Sequence, residues 1–340
     1  MRLSKVGLLA SCLIVLALIM FLSGCAEQKE WKKAQQTNTV ESYRAFLKQF
    51  PNGKTSDKAK LAIENLEWEN ANQSKMLGNY LIFMKKYPKS QYFAQAKAEA
   101  DKLMVPMGKN GSLMVLIPEG EFEMGCSQWQ EDEMPAHKVS VKAFYMDVYE
   151  VTNVQYKKFV DATNYKKPNC WKDPTLGGSE QPIVTITWYD AEEYAKWAGK
   201  RLPTEAEWEK AARGGLVGKL YPWGDKLFHD NANYYGSGGK DFWITSANVG
   251  AFDPNGYGLF DMAGNVQEWC ADFYDAKYYA TSPNQNPTGP KSGTLTVARS
   301  GSWGDDIQNS KESGLRVAKR RAIDPYEFDS YTGFRCVMDK

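Results

Sequence analysis

Between residues 221 and 290 the chain is broken again and again by turn formers, in "YPWGD" (221–225), "DPNGYG" (253–258) and "NPTGP" (286–290). Proline removes a backbone donor and glycine releases the backbone, so neither supports a long helix or a central strand. A region punctuated in this way must pack loops around short elements. Three helices nevertheless announce themselves upstream. Thr152 with Gln155, Thr187 with Asp190 and Thr204 with Glu207 each set a hydroxyl acceptor three residues before a side chain able to reach back, the capping-box spacing or a close variant. "TWYDAEEYAKWAGK" then places Trp188, Ala191, Tyr194, Ala195 and Ala198 on one face and stops at Gly199, while "PTEAEWEKAARGG" stops at Gly214. Short strands, capped helices and many turns predict an α+β, loop-rich domain over 112–340.

The residues before it have another character. "SYRAFLKQFPNGKTSDKAKLAIENL" at 42–66 is echoed by "NYLIFMKKYPKSQYFAQAKAEADKL" at 79–103, so that Tyr43, Phe46, Pro51, Ala59 and Lys60 recur as Tyr80, Phe83, Pro88, Ala96 and Lys97. Each copy reads as a helix, a proline-marked turn and an Ala-rich helix. Stacking the copies buries faces that one alone exposes. A small all-α segment over 26–104, similar to tetratricopeptide repeats, is therefore expected, with "MVPMGKNG" (104–111) as linker. It serves either as a spacer or as a peptide-binding groove.

Residues 1–25 read as a targeting signal. Arg2 and Lys5 precede the apolar run "VGLLASCLIVLALIMFL", and the run closes on "LSGC". The run is short for a membrane span. Leu22 to Cys25 resemble a bacterial lipobox, which implies cleavage before Cys25 and its acylation. The mature chain would be tethered in the cell envelope, at the outer membrane facing periplasm or surface.

Composition removes other classes. Lys plus Arg is 42 against 41 for Asp plus Glu, so no global field points to nucleic acid. The chain has two histidines, His137 and His229, and no CxxC pair, which argues against zinc. Both histidines are expected to be hydrogen-bonded structural residues. With Cys12 in the signal and Cys25 lipidated, Cys126, Cys170, Cys270 and Cys336 remain as structural disulfides or buried thiols, with the pairing open. Eleven Trp, 19 Tyr and 15 Phe suit a packed core and also a surface that meets a protein, peptide or glycan.

Seven motifs over about 112–338 resemble, in order, the formylglycine-generating enzyme or sulfatase-modifying factor family. They are "MVLIPEGEFEMG", "YEVTNVQYKKF", "AKWAGKRLPTEAEWEKAARGG", "YPWGD", "FDPNGYGLFDMAGNVQEW", "RSGSW" and "GFRCV". The resemblance implies a compact domain related to C-type lectins. It also implies a Cu(I) site whose two thiolates follow the "RSGSW" turn, and these positions correspond here to Asp305 and Ser310. A carboxylate and a hydroxyl are hard donors and poor hosts for a soft ion, so copper and formylglycine generation are not expected. Cys336 matches a position that is usually disulfide-bonded in the family. The iron-dependent sulfoxide synthases, a second branch with the same fold, use three histidines, and this chain has two. Asp305 and Asp306 are expected to brace their turn rather than act as an acid and base.

The same resemblance implies two structural Ca²⁺ sites. One comprises Asp261 and Glu268 with the carbonyls of Gly264 and Val266. The other comprises Asn233 and Asp241 with the carbonyls of Tyr234 and Trp243, in a locally altered loop. The function expected is a lipid-anchored, non-catalytic binding or assembly module. The alternative is an oxidoreductase or protein-maturation factor of the same family.

Overall fold

The computed structural model describes residues 25–306 and 313–340. The expected signal segment before Cys25, and the candidate Ser310, lie outside the described residues. The chain divides into two compact units, residues 25–75 with 83–94 and residues 76–82 with 95–340. Among the described residues no helix is long and apolar enough to cross a membrane.

Helix α1 (25–37), α2 (Val40–Gln49) and α3 (Ser56–Ser74) make most of the first unit. α2 starts where it does because Thr39 and Ser42 cap each other, the Thr39 hydroxyl accepting from Ser42 N and the Ser42 hydroxyl from Thr39 N, both at 3.2 Å. Trp31, Tyr43, Phe46, Ala59 and Ile63 pack together in this unit. Helices α4 (Leu77–Lys86) and α5 (Phe93–Leu103) follow. The repeated positions behave alike, since Tyr43, Phe46 and Ala59 are buried and so are Tyr80, Phe83 and Ala96.

Residues 104–111 depart from the expectation of a linker. They form β1 (Met104–Met107) and a turn, and β1 pairs antiparallel with β2 (Ser112–Ile117), Met104 opposite Val115 and Met107 opposite Ser112. Pro106 reads as a breaker, but a sheet edge tolerates proline where its missing N–H is not needed. β1 is such an edge, in a sheet ordered β1-β2-β5-β10 with β5 at Phe144–Asp147 and β10 at Val337–Asp339. β3 (Gly120–Met124) and β4 (His137–Val141) form a separate ribbon. A third sheet runs β8-β7-β6-β9, with β6 (Gln267–Phe273) and β7 (Thr296–Arg299) central, β8 (Arg321–Ile323) at one edge, and β9 (Thr332–Gly333) parallel to β6 at the other.

The three capped helices form as the sequence requires: α6 (Asn153–Thr163), α7 (Trp188–Ala198) and α8 (Glu205–Arg213). Thr152, Thr187 and Thr204 accept from the amides of Gln155, Asp190 and Glu207 at 3.3, 3.2 and 3.2 Å. Gly199 (φ 75°) and Gly214 (φ 57°) close α7 and α8 in the left-handed conformation that glycine adopts without strain. Tyr156, Tyr194, Trp269 and Phe334 are central to the core between α6, α7 and the sheets. The domain is α+β and loop-rich.

Cysteine does not staple it. The five described cysteines are all free thiols, which makes Cys170, Cys270 and Cys336 buried thiols, leaves Cys126 a partly exposed one, and corrects the pairing implied for Cys336. Cys170, Cys270 and Cys336 are buried, and burial pushes all three thiols above their ordinary range. Protonated thiols in a core are weak ligands and weak nucleophiles.

Buried ion pairs tie the loops down instead. Arg299, fully buried in β7, donates to Glu205 Oε1 at 2.6 Å, to Glu209 Oε2 at 2.7 Å and to the Val317 carbonyl. Arg320 grips Glu205 at 2.7 and 2.9 Å, and Arg213 bonds Glu209 at 2.6 Å. Burial opposes ionisation of Glu205 and Glu209, but Arg320 with Arg299 around the first, and Arg213 with Arg299 around the second, outweigh it and hold both carboxyls below the usual range. Their contribution is therefore complete above the unfolded value of about 4.3 and is lost as pH falls through the lowered folded value. Arg299→Met should leave buried Glu205 to Arg320 alone and Glu209 to Arg213 alone, and destabilise the domain by about 3–5 kcal/mol in urea unfolding at pH 7. It should also flatten the loss of stability between neutral and acid pH. A cost under about 1 kcal/mol would show that the network is not structural.

Candidate functional site

The turn that follows β7 is built by local bonds. Ser300 (φ 89°) and Gly301 (φ 71°) turn the chain through left-handed conformations, and the Ser300 carbonyl accepts from Gly264 N at 3.0 Å. Trp303 is held at both ends, its backbone N–H donating to Asn265 O at 2.8 Å and its indole N–H to Ser330 O at 3.0 Å. Its ring lies 4.6 Å from that of Tyr331.

Asp305 closes this turn. Its Oδ2 accepts from Ser302 N at 2.7 Å and from Ser302 Oγ at 2.9 Å, while its own N–H donates to Ser302 O at 3.1 Å. Gly314 packs against it so closely that a Cβ there would stand 2.2 Å from Asp305 Oδ1. The expectation that Asp305 braces its turn holds, and Asp306 is exposed. A cavity of about 60 Å³ opens beside Asp305, lined by Gln267, Arg299, Lys319 and Arg321 among others. Burial lowers the Lys319 ammonium below its ordinary range.

Sulfur is missing from this cavity. Cys270 lies in β6 with its carbonyl accepting from the Trp188 indole at 2.7 Å, and Cys336 receives its setting from Asp147, whose Oδ2 accepts the Cys336 N–H at 3.0 Å. Neither lines it. Residues 307–312 read IQNSKE and supply neither cysteine nor histidine. The donor set here does not fit Cu(I).

The two oxygen-donor sets differ. Glu268 is already engaged, accepting from Arg335 Nε and Nη2 at 2.8–3.0 Å and from the Trp208 indole at 2.7 Å. Asp261 accepts from Gly250 N at 2.6 Å, and burial pushes its carboxyl up to about 6. Glu150, which the sequence did not single out, is fully buried near both, and burial, then Asp261 and Glu268, raise its carboxyl well above its ordinary range. Of the three carboxylates only Glu268 bonds the Arg335 guanidinium, whose positive charge also acts on Glu150 and Asp261.

In the second set, Asn233 Oδ1 and Asp241 Oδ1 are buried and have no hydrogen-bond partner. The remaining atoms are fixed: Asn233 Nδ2 donates to Thr245 O at 2.8 Å, and Asp241 Oδ2 accepts from Tyr234 N at 3.2 Å and bonds His229 Nδ1 at 2.9 Å. Both atoms are hard oxygen donors, the donor type that Ca²⁺ takes. His229 is a structural partner rather than a lone ligand, its ring stacked on Tyr234 at 3.9 Å. His137 opens β4 and pairs with the Pro135 carbonyl at 2.8 Å, and its ring packs edge-on to Tyr279.

Known proteins share this architecture. A formylglycine-generating enzyme of Streptomyces coelicolor is 33% identical, over 72% of this chain and 94% of that protein. A Chlamydia pneumoniae protein named serine/threonine-protein kinase pkn1 is 38% identical over 66% of this chain, and the match spans 38% of its length. The structure of PvdO from Pseudomonas aeruginosa superposes with a TM-score of 0.61 at 28% identity, over 70% of this chain and 98% of that one. With residues 100–340 of its 340 matching the sulfatase-modifying factor enzyme 1-like domain, the chain belongs to that family.

Proposed function

We propose that this protein is a non-catalytic binding or assembly module, tethered to the bacterial cell envelope through a lipid on Cys25. The commitment of Asp305 to its own turn, in a cavity without thiols, carries the first half of this reading. Redox chemistry on a substrate thiol needs soft ligands that the residues present do not offer. Exposed apolar side chains on the loop over 228–244 support the second role: Tyr235 is 63% exposed, Phe242 73% and Ile244 83%. Large exposed apolar groups on one loop mark surfaces that meet a protein partner.

The decisive experiment supplies Cu(I), O₂ and a cysteine peptide to the purified full-length protein. Oxygen uptake should equal that of the protein-free control, and copper should not be retained in stoichiometric amount. Peptide-dependent uptake with one bound copper per chain would overturn the reading.

The anchor rests on the lipobox resemblance and on Cys25 being exposed. Cys25→Ser should abolish incorporation of labelled palmitate and release the protein from the membrane fraction. Retention of both in the variant refutes lipidation.

Calcium belongs to the same reading as a structural ion. Asn233 Oδ1 and Asp241 Oδ1, with the carbonyls of Tyr234 and Trp243, would hold one ion. Asp261 and Glu268, with the carbonyls of Gly264 and Val266, fit an ion less well, because both Glu268 oxygens already accept from Arg335 and Trp208. Because a bound ion stabilises by mass action, about 2.7 kcal/mol at a hundredfold excess over Kd, EDTA should lower the melting temperature by several degrees and Ca²⁺ should restore it. Asp241→Ala should abolish most of that response. An EDTA-insensitive wild type would remove calcium from the account.

A further inference from the structure

α7 has two working faces. Ala191, Tyr194, Ala195 and Ala198 enter the core, while Trp188, Glu192 and Lys196, spaced i, i+4 and i+8, border a cavity of about 650 Å³, a volume typical of small-molecule sites. Its floor is apolar. Ala271 of β6 is exposed and Trp188 half-buried, and the buried Val141, Phe144, Leu202 and Pro287 complete the wall. The floor is also held still: the Trp188 indole N–H donates to Cys270 O at 2.7 Å, its ring meets that of Tyr189 edge-on at 5.2 Å, and the Ala271 N–H donates to Pro203 O at 2.8 Å. Ala271 lies four residues beyond Gln267 on β6, about 13 Å along a strand, so this cavity is separate from the one beside Asp305.

Charges around this floor are unequally matched. Glu192 pairs with Lys196 at 3.0 Å, and Glu207 and Asp339 pair with Arg201 at 2.7 and 2.6 Å. Arg201 spends every N–H on these two carboxylates and the Leu202 carbonyl, and Lys200 turns inward to Asp147 Oδ1 at 2.6 Å. Lys142 and Lys340 also line the cavity, exposed and with no ion-pair partner among the described residues. Phe144 pairs with Asp339 on the last rung between β5 and β10, so both lysines leave the sheet at one corner. The unmatched side-chain charge of the lining is therefore positive. We propose that this cavity binds an aromatic carboxylate, its ring on Trp188 and Ala271 and its acid group at the corner of Lys142 and Lys340. A rigid ring suits a floor fixed in advance, because few rotors are frozen when the two surfaces meet. An ammonium fails, since every lining carboxylate is already paired and two lysines repel it. A neutral isostere keeps the ring contact and forgoes the charge. The site does not depend on the chemistry at Asp305, so copper-dependent oxygen uptake would leave it standing.

The test titrates the purified full chain by calorimetry with four probes: naphthylacetate, its amide naphthylacetamide, naphthylethylamine and decanoate. Naphthylacetate should saturate one site per chain and bind at least about threefold tighter than the amide at low salt, a margin that shrinks as salt rises. Lys142→Gln combined with Lys340→Gln should bring the acid down to the affinity of the amide. Ala271→Trp fills the floor and should abolish binding of both at an unchanged melting temperature. If Ala271→Trp does not fold, the lysine pair, changed only at exposed side chains, still decides the matter. Failure of naphthylacetate to saturate, equal binding of acid and amide to the wild type, a preference for the amine or for decanoate, an undiminished acid preference in the double lysine variant, or binding retained by folded Ala271→Trp would each overturn the proposal.

Discussion

Arginine side chains do in this domain what regular secondary structure does elsewhere. Arg299 reaches two carboxylates and the Val317 carbonyl from one guanidinium. Arg320 binds Glu205 and also the carbonyls of Asp132 and Asp275, and Arg335 binds Glu268 and the carbonyls of Asp147, Val148 and Phe260. Loops leave buried carbonyl groups without ladder partners, and those groups must be satisfied. The planar, permanently charged guanidinium has five donors and can serve several loops at once. The carboxylates of α8 and β6 then balance the charge it brings inside.

That arrangement explains how the site can vary while the scaffold stays the same. The Arg299–Trp303 turn is fixed by Gly264, Asn265 and Ser330, none of which needs the residues that follow Asp305. Chemistry at this position is therefore separable from folding, and a pocket can be furnished with carboxylate and amide instead of sulfur without loss of the surrounding frame. The Asn233 and Asp241 pair lies at another junction of loops, where oxygen atoms point inward unmet. An ion there would join segments that have few backbone bonds to one another.

How much of this the sequence revealed depended on range. Capping boxes at Thr152, Thr187 and Thr204 are complete within four residues, and all three formed as read. The bracing role of Asp305 is likewise local, three residues from Ser302. β1 was illegible because its only evidence is a partner strand; Pro106 and Gly108 look like a linker until β2 is beside them. His229 is the hydrogen-bonded structural residue expected of it, but its partner Asp241, twelve positions away, could not be named from local spacing. Glu150 and Gln267 escaped for the same reason: their burial is a property of the folded packing, and no spacing encodes it.

The free thiols change what oxidation can do to this protein. Cys170, Cys270 and Cys336 are sealed in the interior, so a disulfide isomerase finds nothing to act upon at these three positions in the native domain. A domain built this way reaches its final form by burying these three sulfurs as bulk, and Cys126, only partly buried, is the thiol among its described residues that an oxidant can reach. Only on unfolding do these three sulfurs meet solvent, and at that moment cross-linking would trap the unfolded chain instead of stapling the native one.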